Sequence, residues 1–225
     1  MGYSNTLLRA VVVAGACAAT GLPTSTVGAQ TPGLPALQNA FANPGLAFAA
    51  NFGTGGGQSF FGAAAGWGLG GGRLLASAAA GVQRANEASR GAYGGRLAAN
   101  LWTSAGGALG AGAFAGFGGA PRTRSDAGIE TNAAEMNIPV GISVGYRRAL
   151  GAVRGISVYG SPMYKWSRAT VGDSTSSGGN FAGAIGLDFA LTRSIGLTAG
   201  GEFGKSSGES RGSLLGFAVS FVPGR

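Results

Sequence analysis

A closed antiparallel β-barrel that crosses a membrane is the fold this sequence predicts, and three observations predict it. In the last third of the chain, bulky apolar side chains alternate with small or polar ones, over segments of about ten residues, the period of a β-strand. Glycine fills 46 of 225 positions while charged residues make up 11%, against a usual glycine share of about 7%. The glycines have no three-residue period, which excludes collagen, and 45% hydrophobic content excludes simple disorder. No stretch after the N-terminus reaches the ~18 uninterrupted apolar residues that a membrane helix needs. One face of each segment is greasy and the other tiny, so the small face cannot be the core of a sandwich. That pattern fits strands with lipid on one side and an enclosed interior on the other.

Residues 1–29 read as a secretory signal. Arg9 supplies the charge, residues 10–19 a short apolar run, and Val27-Gly28-Ala29 a small-residue cleavage site. The other reading is a lipoprotein signal ending at Cys17, the sole cysteine. Residues 30–44, with Pro32, Pro35 and Pro44, form a lead-in on the periplasmic side. Residues 45–225 are the barrel.

Ten strands follow in order. The first spans about Gly45–Gly53, with Leu46, Phe48, Ala50 and Phe52 outward. The second covers Ser59–Leu69, with Phe61, Ala63, Ala65 and Trp67 outward. The third, Arg73–Gln83, is so alanine-rich that its faces cannot be told apart. The fourth covers Gly91–Thr103, with Tyr93, Leu97 and Leu101 outward and Arg96 and Asn100 inward. The fifth, Ala108–Gly118, turns Phe117 outward. In the sixth, Glu135–Arg148, Ile138, Val140, Ile142, Val144 and Tyr146 face out and Ser143 in. In the seventh, Val153–Ser167, Ile156, Val158, Tyr164 and Trp166 face out and Ser157 and Tyr159 in. The last three cover residues 181–191, 195–203 and 215–221. Eight strands, by merging two glycine-rich pairs, is the alternative count.

The connections after odd strands include two long polar segments, residues 120–134 and 169–179. Those after even strands are short, matching long outer loops and short periplasmic turns. The triplets Gly55–Gly57 and Gly70–Gly72 are turns; no Lys-Ser/Thr pair follows them as in a phosphate-cradling loop. Eleven aromatics share lipid-facing parity and form two expected girdles. Phe52, Phe61, Tyr93, Phe117, Trp166, Phe181 and Phe203 lie at the outer ends, and Trp67, Tyr146, Phe189 and Phe221 at the inner ends. Three residues run against the pattern. The parity of Trp102 points inward, and Pro139 and Pro162 fall within strands, where each removes a ladder donor.

The opening Ala47-Phe48-Ala49-Ala50-Asn51-Phe52-Gly53 and the closing Leu215-Gly216-Phe217-Ala218-Val219-Ser220-Phe221 resemble those of small bacterial outer-membrane β-barrel proteins, the broad OmpX-like and OmpW-like group. The resemblance implies an outer-membrane location in a Gram-negative envelope and a last strand that addresses the barrel-assembly machinery. Here Val222-Pro223-Gly224-Arg225 follow the final aromatic, a departure from the group's terminal aromatic.

The chain has no histidine, the usual acid–base group near neutral pH, and no cysteine beyond residue 17. Enzyme activity, a cofactor and a transition-metal site are therefore not expected. The net charge of +8 points, for an exported barrel, to lipid and lipopolysaccharide phosphates rather than nucleic acid. Arg122, Arg124, Arg168, Lys205 and Arg211 are the candidate loop contacts. Arg96, Asn100, Asp188 and Glu202 are the candidate polar cluster of the lumen, either a pore lining or a structural plug of paired charges. A monomeric, non-enzymatic barrel with a structural or surface-interaction role is the leading expectation. A narrow porin-like channel and a soluble secreted β-protein or lipoprotein are the alternatives.

Overall fold

The computed structural model describes residues 45–55, 58–85, 88–126, 129–149, 155–206 and 209–223. The expected signal and lead-in, residues 1–44, lie outside them. Ten strands form one ring: β1 (Gly45–Gly55), β2 (Gln58–Leu69), β3 (Leu74–Ala85), β4 (Ala88–Thr103), β5 (Leu109–Asp126), β6 (Ile129–Arg148), β7 (Gly155–Val171), β8 (Ser174–Ala190), β9 (Ile195–Ser206) and β10 (Glu209–Phe221). Each strand pairs antiparallel with its sequence neighbours, and β1 pairs with β10 from Phe48↔Phe221 to Thr54↔Leu215. Closure leaves no bare edge around the ring, the condition for a sheet to sit in hydrocarbon. The count is ten, so the eight-strand alternative falls away.

Parity holds around the ring. Phe61, Leu97, Leu101, Ile142, Ile185 and Phe217 are exposed on the outside, while Asn51, Phe60, Gln83, Ser143, Tyr159 and Leu214 are buried inside. The Gly70–Gly72 triplet is a turn, as its sequence reads. All three residues have positive φ, at 58°, 70° and 90°, a region glycine enters without steric cost, and the Gly72 amide donates to the Leu69 carbonyl.

Each of the three dissenting residues has a local explanation. The β4–β5 register shifts between Asn100 and Trp102, a bulge that inserts one residue and resets parity. Trp102 therefore pairs with Ala111 on the outer face and is 54% exposed. A variant keeping Trp102 as its only tryptophan, refolded in vesicles with brominated acyl chains, is expected to lose most of its fluorescence. An unquenched Trp102 would place the ring in the lumen. The prolines interrupt one ladder each without moving it. Pairing of β5 with β6 skips from Ala115↔Val140 to Gly118↔Asn137 beside Pro139. Pairing of β6 with β7 skips from Gly141↔Met163 to Val144↔Gly160 beside Pro162. The other neighbour of each proline still pairs, Lys165 with Pro139 and Gly183 with Pro162.

The expected long outer loops are replaced by strand. Residues 120–126 and 129–134 continue β5 and β6, with the ladder running to Asp126↔Ile129. Residues 168–171 and 174–179 continue β7 and β8 to Val171↔Ser174. The end asymmetry thus lies in strand length. Hydrogen bonding does not need apolar side chains, so the ladder persists where the hydrophobic alternation stops. The flanking strands leave this ladder earlier, although β4 itself runs on to Ala88 and β9 to Ser206. β4 stops pairing with β5 at Tyr93↔Gly119, and β9 stops pairing with β8 at Gly204↔Ala182. Beyond those last pairs β5 to β8 project as a sheet laddered only to one another among the described residues.

Several of the glycines make room for rings. Phe114 and Gly141, Tyr159 and Gly186, and Gly95 and Phe117 are direct cross-strand pairs. A β-carbon at Gly141 would come 2.7 Å from the Phe114 ring, one at Gly95 2.8 Å from the Phe117 ring, and one at Gly186 would run into Tyr159. Phe60 lies the same way over the paired Gly62 and Gly81. An aromatic ring across a glycine covers backbone that no side chain of its own protects.

Candidate lumen site

All four sequence-derived lumen residues lie on inward faces, but they do not form one cluster. The interior has two storeys. The rim near Gly45, the β2–β3 turn and the β8–β9 turn is the lower one, and the rim carrying the β5–β8 projection is the upper.

The upper storey is filled with side chains. Phe114, Met163 and Ala184 pack together at mid-height. Above them lie Phe60 with Ala92 and Ala120, and the fully buried Leu214, Gln83 and Pro139. Two polar systems run through this packing. Lys165 of β7 forms a buried ion pair with Glu202 of β9, both side chains under a tenth exposed. A chain of side chains then links β3, β4, β6 and β7. Arg90 Nε donates to Gln83 Oε1 at 3.0 Å and its Nη2 lies 3.5 Å from Glu135 Oε2. Asn137 Nδ2 donates to Glu135 Oε1 at 3.2 Å, and the Ser167 hydroxyl donates to Asn137 Oδ1 at 2.6 Å. Buried charges in a narrow interior need such partners, because an unpaired one costs several kcal/mol (of order 3–5).

The lower storey is open. A cavity of about 760 Å³ reaches from Gly107, Arg147 and Arg148 at the rim up to Asn51, Arg96 and Tyr159. Inward glycine, alanine and serine leave this space because they fill little volume. Asp188 stands on its wall, where Oδ2 accepts from the Ser157 hydroxyl at 3.2 Å and Oδ1 from the Thr198 hydroxyl at 2.5 Å. Arg96 and Asp188 therefore share the cavity, as their inward parity suggests. Glu202 does not join them, since its partner is Lys165 one storey up. Asn100 lies toward the lower rim, where its Oδ1 accepts from the Thr103 hydroxyl at 3.2 Å.

Sequence reasoning missed Lys165, Glu135, Asn137, Gln83 and Arg90. The first three were legible. Lys165 has the parity of Ser157 and Tyr159, and Glu135 and Asn137 that of Ser143, all read as inward. Gln83 was hidden by the ambiguous faces of the alanine-rich third strand. Arg90 fell in a segment, residues 86–90, read as loop; all but 86 and 87 of it is β4.

The aromatics expected as girdles all sit on the outer face. Phe52, Phe61, Trp67, Tyr93, Phe117, Tyr146, Phe181 and Phe221 are exposed. Trp166, Phe189 and Phe203 share that parity but are half-buried among their neighbours. Tyr164 stacks edge-on against its partner Phe181, with centroids 5.5 Å apart.

No family model matches this chain, and no curated protein matches it by sequence. Among solved structures it is similar to the translocator domain of the autotransporter NalP from Neisseria meningitidis, at 13% identity and TM-score 0.45, over 97% of this chain and 98% of that one. It is also similar to the N-terminal β-barrel domain of Pseudomonas aeruginosa OprF, at 9% identity and TM-score 0.43, over 80% of this chain and 98% of that one. The outer membrane protease OmpT from Escherichia coli is a third, at 8% identity and TM-score 0.41, over 80% of this chain and 94% of that one.

Proposed function

We propose that this barrel spans the outer membrane of a Gram-negative cell as a monomeric, non-enzymatic and non-conducting protein that meets partners through its upper sheet. The observation that carries the reading is the β5–β8 projection. Among the described residues, β5 from Ala120 to Asp126 is in a ladder with β6 alone and β8 from Ser174 to Phe181 with β7 alone, while Ala92 of β4 still packs against Ala120. Such edges present a row of backbone donors and acceptors, which an extended peptide can extend by strand addition. The continuous apolar outer face and the two groups of aromatics support the membrane location. The filled upper storey supports a closed lumen. The absence of histidine supports a non-catalytic role. Arg122, Arg124, Arg168, Lys205 and Arg211 supply positive charge to an end that would meet lipopolysaccharide phosphates. The strand β10, with Phe217, Val219 and Phe221 facing out, would be what the barrel-assembly machinery engages.

The refolded protein is expected to partition into detergent, shift its gel mobility on heating, and stay silent in planar bilayers. Discrete current steps would instead support the porin-like reading, since the lower cavity already opens half of the path. Recovery in the aqueous phase would support the soluble or lipoprotein reading.

A further inference from the structure

The charge of this chain is unevenly placed along its strands. The strand ends and connections of the lower rim, residues 70–73, 104–108, 147–154 and 191–194, hold five arginines and no aspartate or glutamate. Residues 30–44, which precede β1, carry no charge. At the upper end, residues 84–90, 122–135, 168–173 and 205–211 hold seven basic residues against six acidic ones. The remaining charges between residues 45 and 223 are those of the lumen, Arg96, Lys165, Asp188 and Glu202, two of each sign. The net positive charge of the barrel therefore collects at one rim.

Three of the rim arginines are exposed beside the apolar belt. Arg148 has the outward parity of Tyr146, two residues before it in β6. Arg73 precedes Leu74, and its carbonyl accepts from the Asn100 amide at 2.7 Å, which sets its turn beside Leu101 and Trp102 of β4. Arg193 stands in the turn between Leu191 and Ile195. Those six flanking apolar residues are 40% to 68% exposed. Arg147 is engaged differently: its Nε donates to the Gly107 carbonyl at 2.7 Å and ties the end of β6 to the β4–β5 turn. An arginine at the edge of an apolar belt stands at headgroup depth, where its stem can lie on the belt and its guanidinium can meet phosphate.

We infer that the lower rim is a binding surface for the phosphates of anionic phospholipids, with Arg73, Arg148 and Arg193 as its contacts. They are spread around the ring, at the β2–β3, β6–β7 and β8–β9 ends. A surrounding shell of lipid meets all three places at once, whereas a single acidic protein needs one contiguous patch. The inference rests on the reading that the barrel spans a membrane.

Variants keeping either Trp102 or Trp166 as the only tryptophan, refolded in phosphatidylcholine vesicles, test it. The same minor fraction of the lipid is replaced by brominated phosphatidylglycerol or by brominated phosphatidylcholine, and the ratio of quenching reports which lipid is enriched at each ring. At Trp102 phosphatidylglycerol is expected to be enriched about three- to fivefold, on the order of one basic side chain's attraction to an anionic surface. At Trp166, in the upper group of aromatics, the ratio is expected to stay within about twofold of unity, because charges of both signs stand there. Arg73→Gln, Arg148→Gln and Arg193→Gln together are expected to bring the Trp102 ratio to that same level, while the heat-dependent gel shift reports an intact barrel. Arg73→Gln, at the turn beside Trp102, is expected to remove the larger part of the enrichment alone and decides if the triple variant does not fold. Equal quenching of Trp102 by the two lipids, equal enrichment at Trp166, or an enrichment unchanged by these substitutions overturns the surface. Equal quenching would leave the arginines to an anionic polymer in water. Absence of quenching by either lipid would overturn the membrane reading itself, and the surface with it.

Discussion

Glu202→Ala is expected to cost about 3–5 kcal/mol of folding stability. The substitution removes the carboxylate with which the buried Lys165 ammonium pairs in the packed upper storey. Leu214, which pairs with Glu202 across the β9–β10 ladder, is fully buried and apolar. Equilibrium urea unfolding in phospholipid vesicles reads the loss. The double variant Lys165→Met with Glu202→Leu separates the pair from its desolvation. Removing both charges at similar volume is expected to return stability to within about 1 kcal/mol of the parent, or above it. A loss below about 1 kcal/mol in the single variant would mean that water reaches the pair, and the upper storey would not be dry.

Phe114→Ala carries the second large effect, about 3 kcal/mol, the lower end of the range for removing a buried phenylalanine. The ring packs on Met163 and Ala184 from above Gly141. Water from the open storey below can enter part of the space, which limits the cost. The same urea titration measures it. Filling the space from the glycine side does not rescue it. In Gly141→Val a β-carbon would lie 2.6 Å from the Pro162 carbonyl oxygen and 2.8 Å from Met163 Cβ, so that variant is destabilised on its own account. If Phe114→Ala unfolds at the parental urea concentration, the ring is not part of the mid-height packing.

Much of this architecture was legible in the alternation alone. The closing strands β8 to β10 carry bulky aliphatics and aromatics on one parity and glycine or alanine on the other, so their faces were fixed by side-chain size. The ten-strand count came from keeping the glycine-rich pairs as separate strands. Trp102 could not be placed, because a single extra residue in β4 reverses parity and nothing in its composition announces a bulge. The β5–β8 projection was misread as loop for a different reason. Once strands leave an apolar surroundings, both faces become polar and the periodic signal vanishes while the hydrogen bonds persist. The lumen cluster was half legible. Parity gave the inward set, including residues such as Lys165 that were passed over. Height along the barrel depends on strand tilt, which is why Arg96, Asp188 and Glu202 looked like neighbours.

The rings seated on glycine also bear on how this chain finds its pairing. Outward alanines recur at residues 76, 78 and 80 of β3, so a two-residue slide of β3 past β2 would set alanine against alanine almost unchanged. The Phe60 ring resists that slide, because a shift would bring Ala79 or Gln83 under it in place of Gly81. Phe114 and Tyr159 act as the same kind of detent between β5 and β6 and between β7 and β8. In a wall made largely of interchangeable small residues, a few flat rings and the bare backbone beneath them keep the staves from sliding.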